Sequence, residues 1–181
     1  MRSTQSIITI FIVFFYSSWM FSAEVNVYTS RHYDSDEKLY EDFTDSTGIK
    51  VNIISAKGKA LIERLRSEGN NSPADLFITV DAGNLWKVQE YGLFQEIKSK
   101  KIDAIVPAKF KGKNNKWVAL AKRARVIFYN PENLSNKDIQ NLSYEDLSLP
   151  KWKDKVVIRS SNNMYNQSLV ASIIAKKGEK Y

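Results

Sequence analysis

Apolar and polar positions along the first part of the chain predict alternating strands and helices. Residues 25–29 alternate between apolar and polar side chains, and residues 51–55 and 74–80 form further apolar segments of strand length. The segments between them place apolar residues at helical spacing, and these helices are predicted to begin near Asp34 and Lys59. Strands that alternate with helices in this way indicate an α/β fold, in which a parallel sheet is connected by right-handed crossovers.

Glycines mark where the first two predicted helices end. Gly48 follows the first helix and Gly69 follows the second, which is the position where a left-handed residue commonly ends a helix. In the second helix, Leu61, Ile62 and Leu65 recur at a spacing that predicts an inward, apolar face. The strand over residues 74–80 is predicted to be buried.

The second part of the chain has a less regular pattern. A helix is predicted around Leu85 to Val88, and strands are predicted over residues 123–131, where Pro131 ends the segment, and over residues 155–159. A final helix is predicted over residues 164–177. Its apolar side consists of Leu169, Val170, Ile173 and Ile174. The last strand and helix have too few partners to cover both faces of a second layer, so the sequence is expected to be incomplete.

Residues 1–23 have the layout of a secretory signal peptide. A single charge, Arg2, precedes an apolar run over residues 7–15, and small or polar residues follow up to Ala23. An uncleaved anchor is the alternative, because Phe21 matches poorly to a cleavage site that favours small residues. We therefore expect an exported protein. The chain contains no cysteine, so disulfide bonds cannot stabilise it.

The charge balance is basic, with a formal net charge of +7 that includes Arg2 of the leader. Lysines are concentrated in residues 98–101 and 109–116. Because no nucleic-acid-binding motif accompanies them, these clusters are interpreted as solvated surface, and no nucleic-acid partner is expected.

His32 and Tyr33 follow the first predicted strand directly, and His32 is the only histidine of the chain. Ligand-binding side chains of α/β proteins lie in the crevice at the carboxyl ends of the strands, which makes this loop a candidate site. By residue type alone, the pair is compatible with exposed loop residues, with a ligand site, or with His32 as a general base.

Four ordered segments resemble those of a known family. They are Val27-Tyr-Thr-Ser-Arg-His-Tyr33, Pro73-Ala-Asp-Leu-Phe77, the segment from Leu120 that ends Arg-Val-Ile-Phe-Tyr-Asn-Pro131, and Ser160-Ser-Asn-Asn-Met-Tyr-Asn-Gln-Ser168. Together they resemble the periplasmic ferric-iron-binding proteins of ABC iron importers, in particular the cyanobacterial branch.

The resemblance implies a type II periplasmic-binding fold, also called transferrin-like, in which two lobes close on one iron ion. Family members are about twice as long as this chain. Residues 24–125 would then form the first lobe, a parallel or mixed sheet with flanking helices, and residues 126–181 would form the crossing segment and an incomplete second lobe. The family's adjacent pair of second-lobe tyrosine ligands has no counterpart here, because the chain contains no adjacent tyrosines.

The resemblance also implies the ligands. Tyr33 and His32 match the first-lobe pair, although the histidine of some members lies near the metal without binding it. Tyr165 matches a further tyrosine ligand, and Arg123 or Arg125 matches a basic residue that lines the cleft. Other branches use an acidic ligand after the Pro-Ala-Asp motif, and Asp81 is the nearest carboxylate here, but we do not expect it to bind the metal.

These residue types suit ferric iron. Fe(3+) is a hard cation that prefers anionic oxygen, and phenolate ligands neutralise its charge as well as coordinate it. An arginine in the same cleft would balance the negative charge that several phenolates, or an exogenous synergistic anion, bring to the ion. The residues leave both uses of the arginine open.

The expected protein is therefore a monomeric periplasmic receptor that delivers ferric iron to an inner-membrane ABC permease. A receptor for a small organic or oxyanionic solute, anchored by Arg123 or Arg125, is the alternative on the same fold. An exported enzyme with His32 as general base is the third hypothesis. We expect no enzyme activity, because the chain lacks a nucleophile elbow, a zinc motif and clustered carboxylates.

Overall fold

The computed structural model describes residues 23–31 and 33–179. The predicted signal peptide, apart from its last residue, and His32 lie outside the described residues. The strands are β1 (Glu24–Thr29), β2 (Lys50–Ser55) and β3 (Leu76–Ile78). The α-helices are α1 (Asp34–Thr47), α2 (Gly58–Glu68), α3 (Ala82–Glu90), α4 (Lys100–Ile105), α5 (Asn136–Ile139) and α6 (Met164–Lys177).

The three strands form one parallel sheet in the order β2-β1-β3. The central strand β1 places Val27 opposite Ile53 of β2 on one side and opposite Leu76 of β3 on the other. Parallel neighbours require crossover connections, which α1 and α2 provide. The prediction of a parallel α/β sheet with flanking helices is confirmed.

The core lies between this sheet and helices α2 and α3. Tyr28 of β1 is 0 % exposed and packs with Leu61, Ile62 and Leu65 of α2 and with Val88 of α3. The predicted inward face of the second helix is therefore confirmed. The apolar positions of α2 recur at helical spacing, so the helix buries one stripe and leaves its charged side chains in water.

Helix α1 begins at Asp34, as predicted. Tyr33 occupies the N-cap position and makes no side-chain capping hydrogen bond, and Asp34 lies inside the first turn. The helix ends at Gly48, whose φ of 72° is left-handed and whose N–H donates to the carbonyl of Thr44. Glycine adopts this conformation without the steric cost that other residues incur, which explains the helix end.

Three predicted strands differ from the structure. The third strand is confined to Leu76–Ile78, and Leu76 is 52 % exposed rather than buried, since β3 pairs only with β1 and lies at an edge of the sheet. Residues 123–131 and 155–159 form no strand in the described part of the chain. Strands need neighbours that accept and donate backbone hydrogen bonds, and these segments have none there, so Phe128 and Val157 are 89 % and 96 % exposed.

The last helix has the predicted bounds, residues 164–177. Its predicted apolar side is only partly covered, because Val170 and Ile174 are 47 % and 42 % exposed. Within residues 23–31 and 33–179, no helix has the length and apolarity required to cross a membrane.

Candidate metal-binding site

The loop after β1 is held by a forked ion pair. The guanidinium of Arg31 donates to both carboxylate oxygens of Asp36, at 2.8 and 2.9 Å, and thereby ties the loop to the first turn of α1. The N–H of Asp36 donates to the carbonyl of Tyr33 at 2.8 Å. The hydrogen bond from Arg31 holds the pKa of the Asp36 carboxyl below its ordinary value, which keeps the pair charged.

Tyr33 is 47 % exposed at the carboxyl end of β1 and lies beside Arg31, whose guanidinium carbon is 5.0 Å from the centroid of the tyrosine ring. This is the edge of the sheet where α/β proteins hold ligands. Arg31 thus contacts both the carboxylate of Asp36 and the ring of Tyr33, and so helps to fix the orientation of the Tyr33 side chain.

Tyr165 lies in the first turn of α6. The side chain of Asn163 caps this helix by accepting from the N–H of Tyr165 at 3.0 Å. The Nη2 of Arg123 donates to the hydroxyl of Tyr165 at 3.0 Å. The guanidinium groups of Arg123 and Arg159 lie 4.9 and 5.0 Å from the centroid of the same ring, so two positive charges are close to this phenol.

Arg123 connects the tyrosines electrostatically. The hydrogen bond with Tyr165 raises the pKa of Arg123 above its ordinary value, and the charges of Tyr165, Tyr33 and Asp81 act in the same direction. Arg123 thus contacts Tyr165 directly, and Tyr33 contributes to its electrostatic surroundings.

Asp81 lies between β3 and α3 with a strained backbone. Its φ of 74° and ψ of 130° are rare for a residue with a side chain and cost about 1–3 kcal/mol. The carboxylate caps α3 by accepting from the N–H of Gly83 at 3.0 Å, and it forms an ion pair with Arg125 at 3.1 Å. It also accepts from the hydroxyl of Ser168 at 2.5 Å.

The predicted residues occupy different positions in this arrangement. Arg123 lies against Tyr165, whereas Arg125 forms an ion pair with Asp81, and Tyr33 lies beside Arg31. His32 lies outside the described residues. No group of three or more His, Cys, Asp and Glu side chains that could hold a metal ion occurs among residues 23–31 and 33–179.

Sequence reasoning missed two residues of the site, Arg159 and Ser168. Arg159 directly precedes the Ser-Ser-Asn-Asn segment, and Ser168 follows Tyr165 by three positions, one turn along the same face of α6. The three-residue spacing from Tyr165 along the predicted helix could have identified Ser168. The position of Arg159 depends on how its segment folds back, which spacing does not reveal.

Residues 71–181, more than half of the chain, match the family of bacterial extracellular solute-binding proteins. The chain belongs to this family. Among the relatives of this solute-binding protein are iron uptake protein A1 of Synechocystis, 48 % identical over 157 residues, and the major ferric iron-binding protein of Neisseria gonorrhoeae, 33 % identical over 165 residues. These matches cover 87 % of this chain and 43 % and 47 % of the two relatives.

Solved structures give the same result. The chain superposes with a TM-score of 0.78 on the Trichodesmium protein (IdiA, FutA) in complex with iron and citrate ligands, at 51 % identity, covering 86 % of this chain and 49 % of that one. The ferric binding protein from Campylobacter jejuni superposes with a TM-score of 0.80 at 43 % identity, over 86 % and 49 % of the two chains. The chain therefore spans just under half the length of these proteins.

These findings confirm two expectations from the sequence. The resemblance to periplasmic ferric-iron-binding proteins is confirmed by relatives of that name. The type II periplasmic-binding fold is confirmed over the part of that fold that the chain covers.

Proposed function

We propose that this solute-binding protein captures ferric iron outside the cytoplasmic membrane and that Tyr33 and Tyr165 supply phenolate ligands. The observation that carries the proposal is the hydrogen bond between Arg123 and the hydroxyl of Tyr165, at 3.0 Å, and Tyr33 also contributes to the electrostatic surroundings of Arg123. The similarity to iron uptake and ferric iron-binding proteins supports iron as the solute.

The phenols would bind iron by losing their protons. A free tyrosine has a pKa of about 10, and a trivalent cation favours the phenolate strongly enough to displace the proton near neutral pH. Iron binding should therefore release protons and weaken as the pH falls. His32, the next residue after Arg31 in the sequence, is proposed as a ligand or a neighbour of the ion.

Arg123 and Arg125 are proposed to balance the negative charge around the ion. The guanidinium of Arg123 already donates to one phenol, and a guanidinium binds a carboxylate anion by paired hydrogen bonds. The Trichodesmium relative is a complex with both iron and citrate, which supports a synergistic anion beside the ferric ion here.

The remaining proposals concern the whole receptor. Residues 24–125 would form the first lobe, and residues 126–181 would form the crossing segment and the start of the second. A monomeric receptor in the periplasm would deliver iron to an inner-membrane ABC permease. The periplasmic assignment is supported by the Serratia marcescens relative, the Fe(3+)-binding periplasmic protein.

An absorbance titration with ferric citrate tests the proposed ligands. A phenolate bound to ferric iron gives a visible charge-transfer band, so we expect the wild-type protein to develop colour as iron is added. Tyr33→Phe and Tyr165→Phe should each weaken iron binding by about tenfold or more, because a charged ligand is lost.

Tyr91→Phe is the matched control. Tyr91 lies at the far end of α3, where its ring faces Arg66, and the same substitution there should leave the titration unchanged. A wild-type protein that binds iron without colour contradicts the proposal. Calorimetric binding of citrate or phosphate in the absence of iron, with no binding of iron, would instead favour a receptor for organic or oxyanionic solutes.

A further inference from the structure

The carboxylate of Asp81 connects three segments that are far apart in the sequence. Its Oδ1 accepts from the N–H of Gly83 at 3.0 Å and from the hydroxyl of Ser168 at 2.5 Å. Its Oδ2 accepts from Nη2 of Arg125 at 3.1 Å. The side chain is only 9 % exposed, so these partners, rather than water, stabilise its negative charge.

Each long-range partner of Asp81 lies close to a proposed site residue. Ser168 follows Tyr165 by three positions, so both side chains lie on one face of α6. Arg125 lies two residues after Arg123, which donates to the hydroxyl of Tyr165. Anchoring Ser168 and Arg125 to one carboxylate therefore limits the movement of both members of the Tyr165 and Arg123 pair.

Close packing of two helices adds to this anchor. A Cβ atom at Gly83 would overlap the Sδ of Met164, the first residue of α6. The side chain of Met164 thus packs directly against the backbone of the first turn of α3. Asp81 lies two residues before Gly83 in the sequence. It anchors α6 near its N-terminal end, which is the end that carries Tyr165.

We propose that Asp81 is a positioning residue for the iron site. It holds α6 and the segment around Arg125 against the β3–α3 junction, and so sets the position of Tyr165 relative to Tyr33. Both of its oxygens are engaged within the chain, which separates its role from that of a metal ligand. The inference rests on the proposed function, because it assigns a role within the same site.

Asp81→Gly is the informative substitution. Glycine removes the carboxylate but relieves the positive φ of 74°, and glycine is nearly as good a helix cap as aspartate. Global stability should therefore stay close to that of the wild type, while affinity for ferric iron falls about tenfold. A merely structural role would change stability and affinity together.

Ser168→Ala is the milder variant, since it removes only the hydrogen bond between α6 and Asp81. We expect its iron affinity to fall several-fold with the charge-transfer maximum unchanged, because the phenolates themselves remain. Ser172→Ala is the matched control: the hydroxyl of Ser172 donates to the carbonyl of Leu169 on the same helix, and its removal should not affect iron binding.

Amide hydrogen exchange of the iron-free protein distinguishes this inference from the proposed function. Residues 164–170 should exchange about tenfold faster in Asp81→Gly and Ser168→Ala than in the wild type or Ser172→Ala, whether or not iron binds. Unchanged exchange in both variants would overturn the positioning role. Faster exchange together with a wild-type protein that binds no iron would support the anchor and refute the iron site.

Discussion

Three tyrosines of this chain show how the same side chain takes different roles in different surroundings. Tyr28 is fully buried, and burial together with its hydrogen bond to Glu68 raises the pKa of its phenol. Tyr33 and Tyr165 are accessible and lie beside the guanidinium groups of Arg31 and Arg123. A buried phenol that donates to a carboxylate within the protein is not free to bind an ion, so its surroundings, rather than its residue type, separate Tyr28 from the two candidate ligands.

The ion pair that supports the Tyr33 loop predicts a pH-dependent stability. Arg31 lowers the pKa of Asp36, so the pair stabilises the folded protein at any pH above the ordinary aspartate range, near 4. This contribution is lost as the pH falls through the lowered pKa. Asp36→Asn should therefore cost about 1 kcal/mol at neutral pH and progressively less below about pH 4.

Urea unfolding at several pH values between 7 and 3 measures this difference. Asp34→Asn is the control, because Asp34 lies in the same first turn of α1 and is exposed. The two variants should differ at neutral pH and converge in acid. An Asp36→Asn deficit that is equally large at pH 7 and pH 3 would show that the lost stability does not come from the ion pair.

Helices of this chain were predictable from local pattern, whereas strands depended on partners. Helix α6 has the predicted bounds, and α2 buries the predicted face, because helical hydrogen bonds lie within the segment itself. The predicted strand over residues 123–131 has the right composition, but composition does not supply a neighbouring strand. Within the described part of the chain, the sheet forms where β1 provides two edges for pairing.

The left-handed end of helix α1 gives a prediction for one element. Gly48 has φ 72° and ψ 4°, and nothing lies within 4 Å of a Cβ built there, so a side chain would meet conformational strain without crowding. Gly48→Ala should reduce the free energy of unfolding by about 1 kcal/mol. Gly48→Asn should cost less, because asparagine tolerates the left-handed region.

Thermal or urea unfolding of the two Gly48 variants provides the measurement. The wild type should have the highest free energy of unfolding, followed by the asparagine variant and then the alanine variant. This order follows from backbone strain alone. An alanine variant as stable as the wild type would contradict the left-handed helix end.

The candidate site exists only at the level of the whole molecule. Tyr165 lies in the first turn of α6 and Arg123 lies 42 residues before it in the sequence, yet the fold brings their side chains into contact. Sequence motifs were sufficient to name these residues through the family resemblance. They were insufficient to find Asp81 as an anchor, because its role depends on contacts between segments that lie 44 and 87 residues away in the chain.

Resonance Raman spectroscopy of the ferric protein tests the central claim most directly, because excitation in the charge-transfer band enhances vibrations of the bound phenolates. We predict tyrosinate ring modes in the iron-loaded wild type, with lower intensity per bound iron in both Tyr33→Phe and Tyr165→Phe. Iron-loaded wild-type protein without tyrosinate modes, or modes that persist at full intensity in both variants, would contradict the assignment of Tyr33 and Tyr165 as iron ligands.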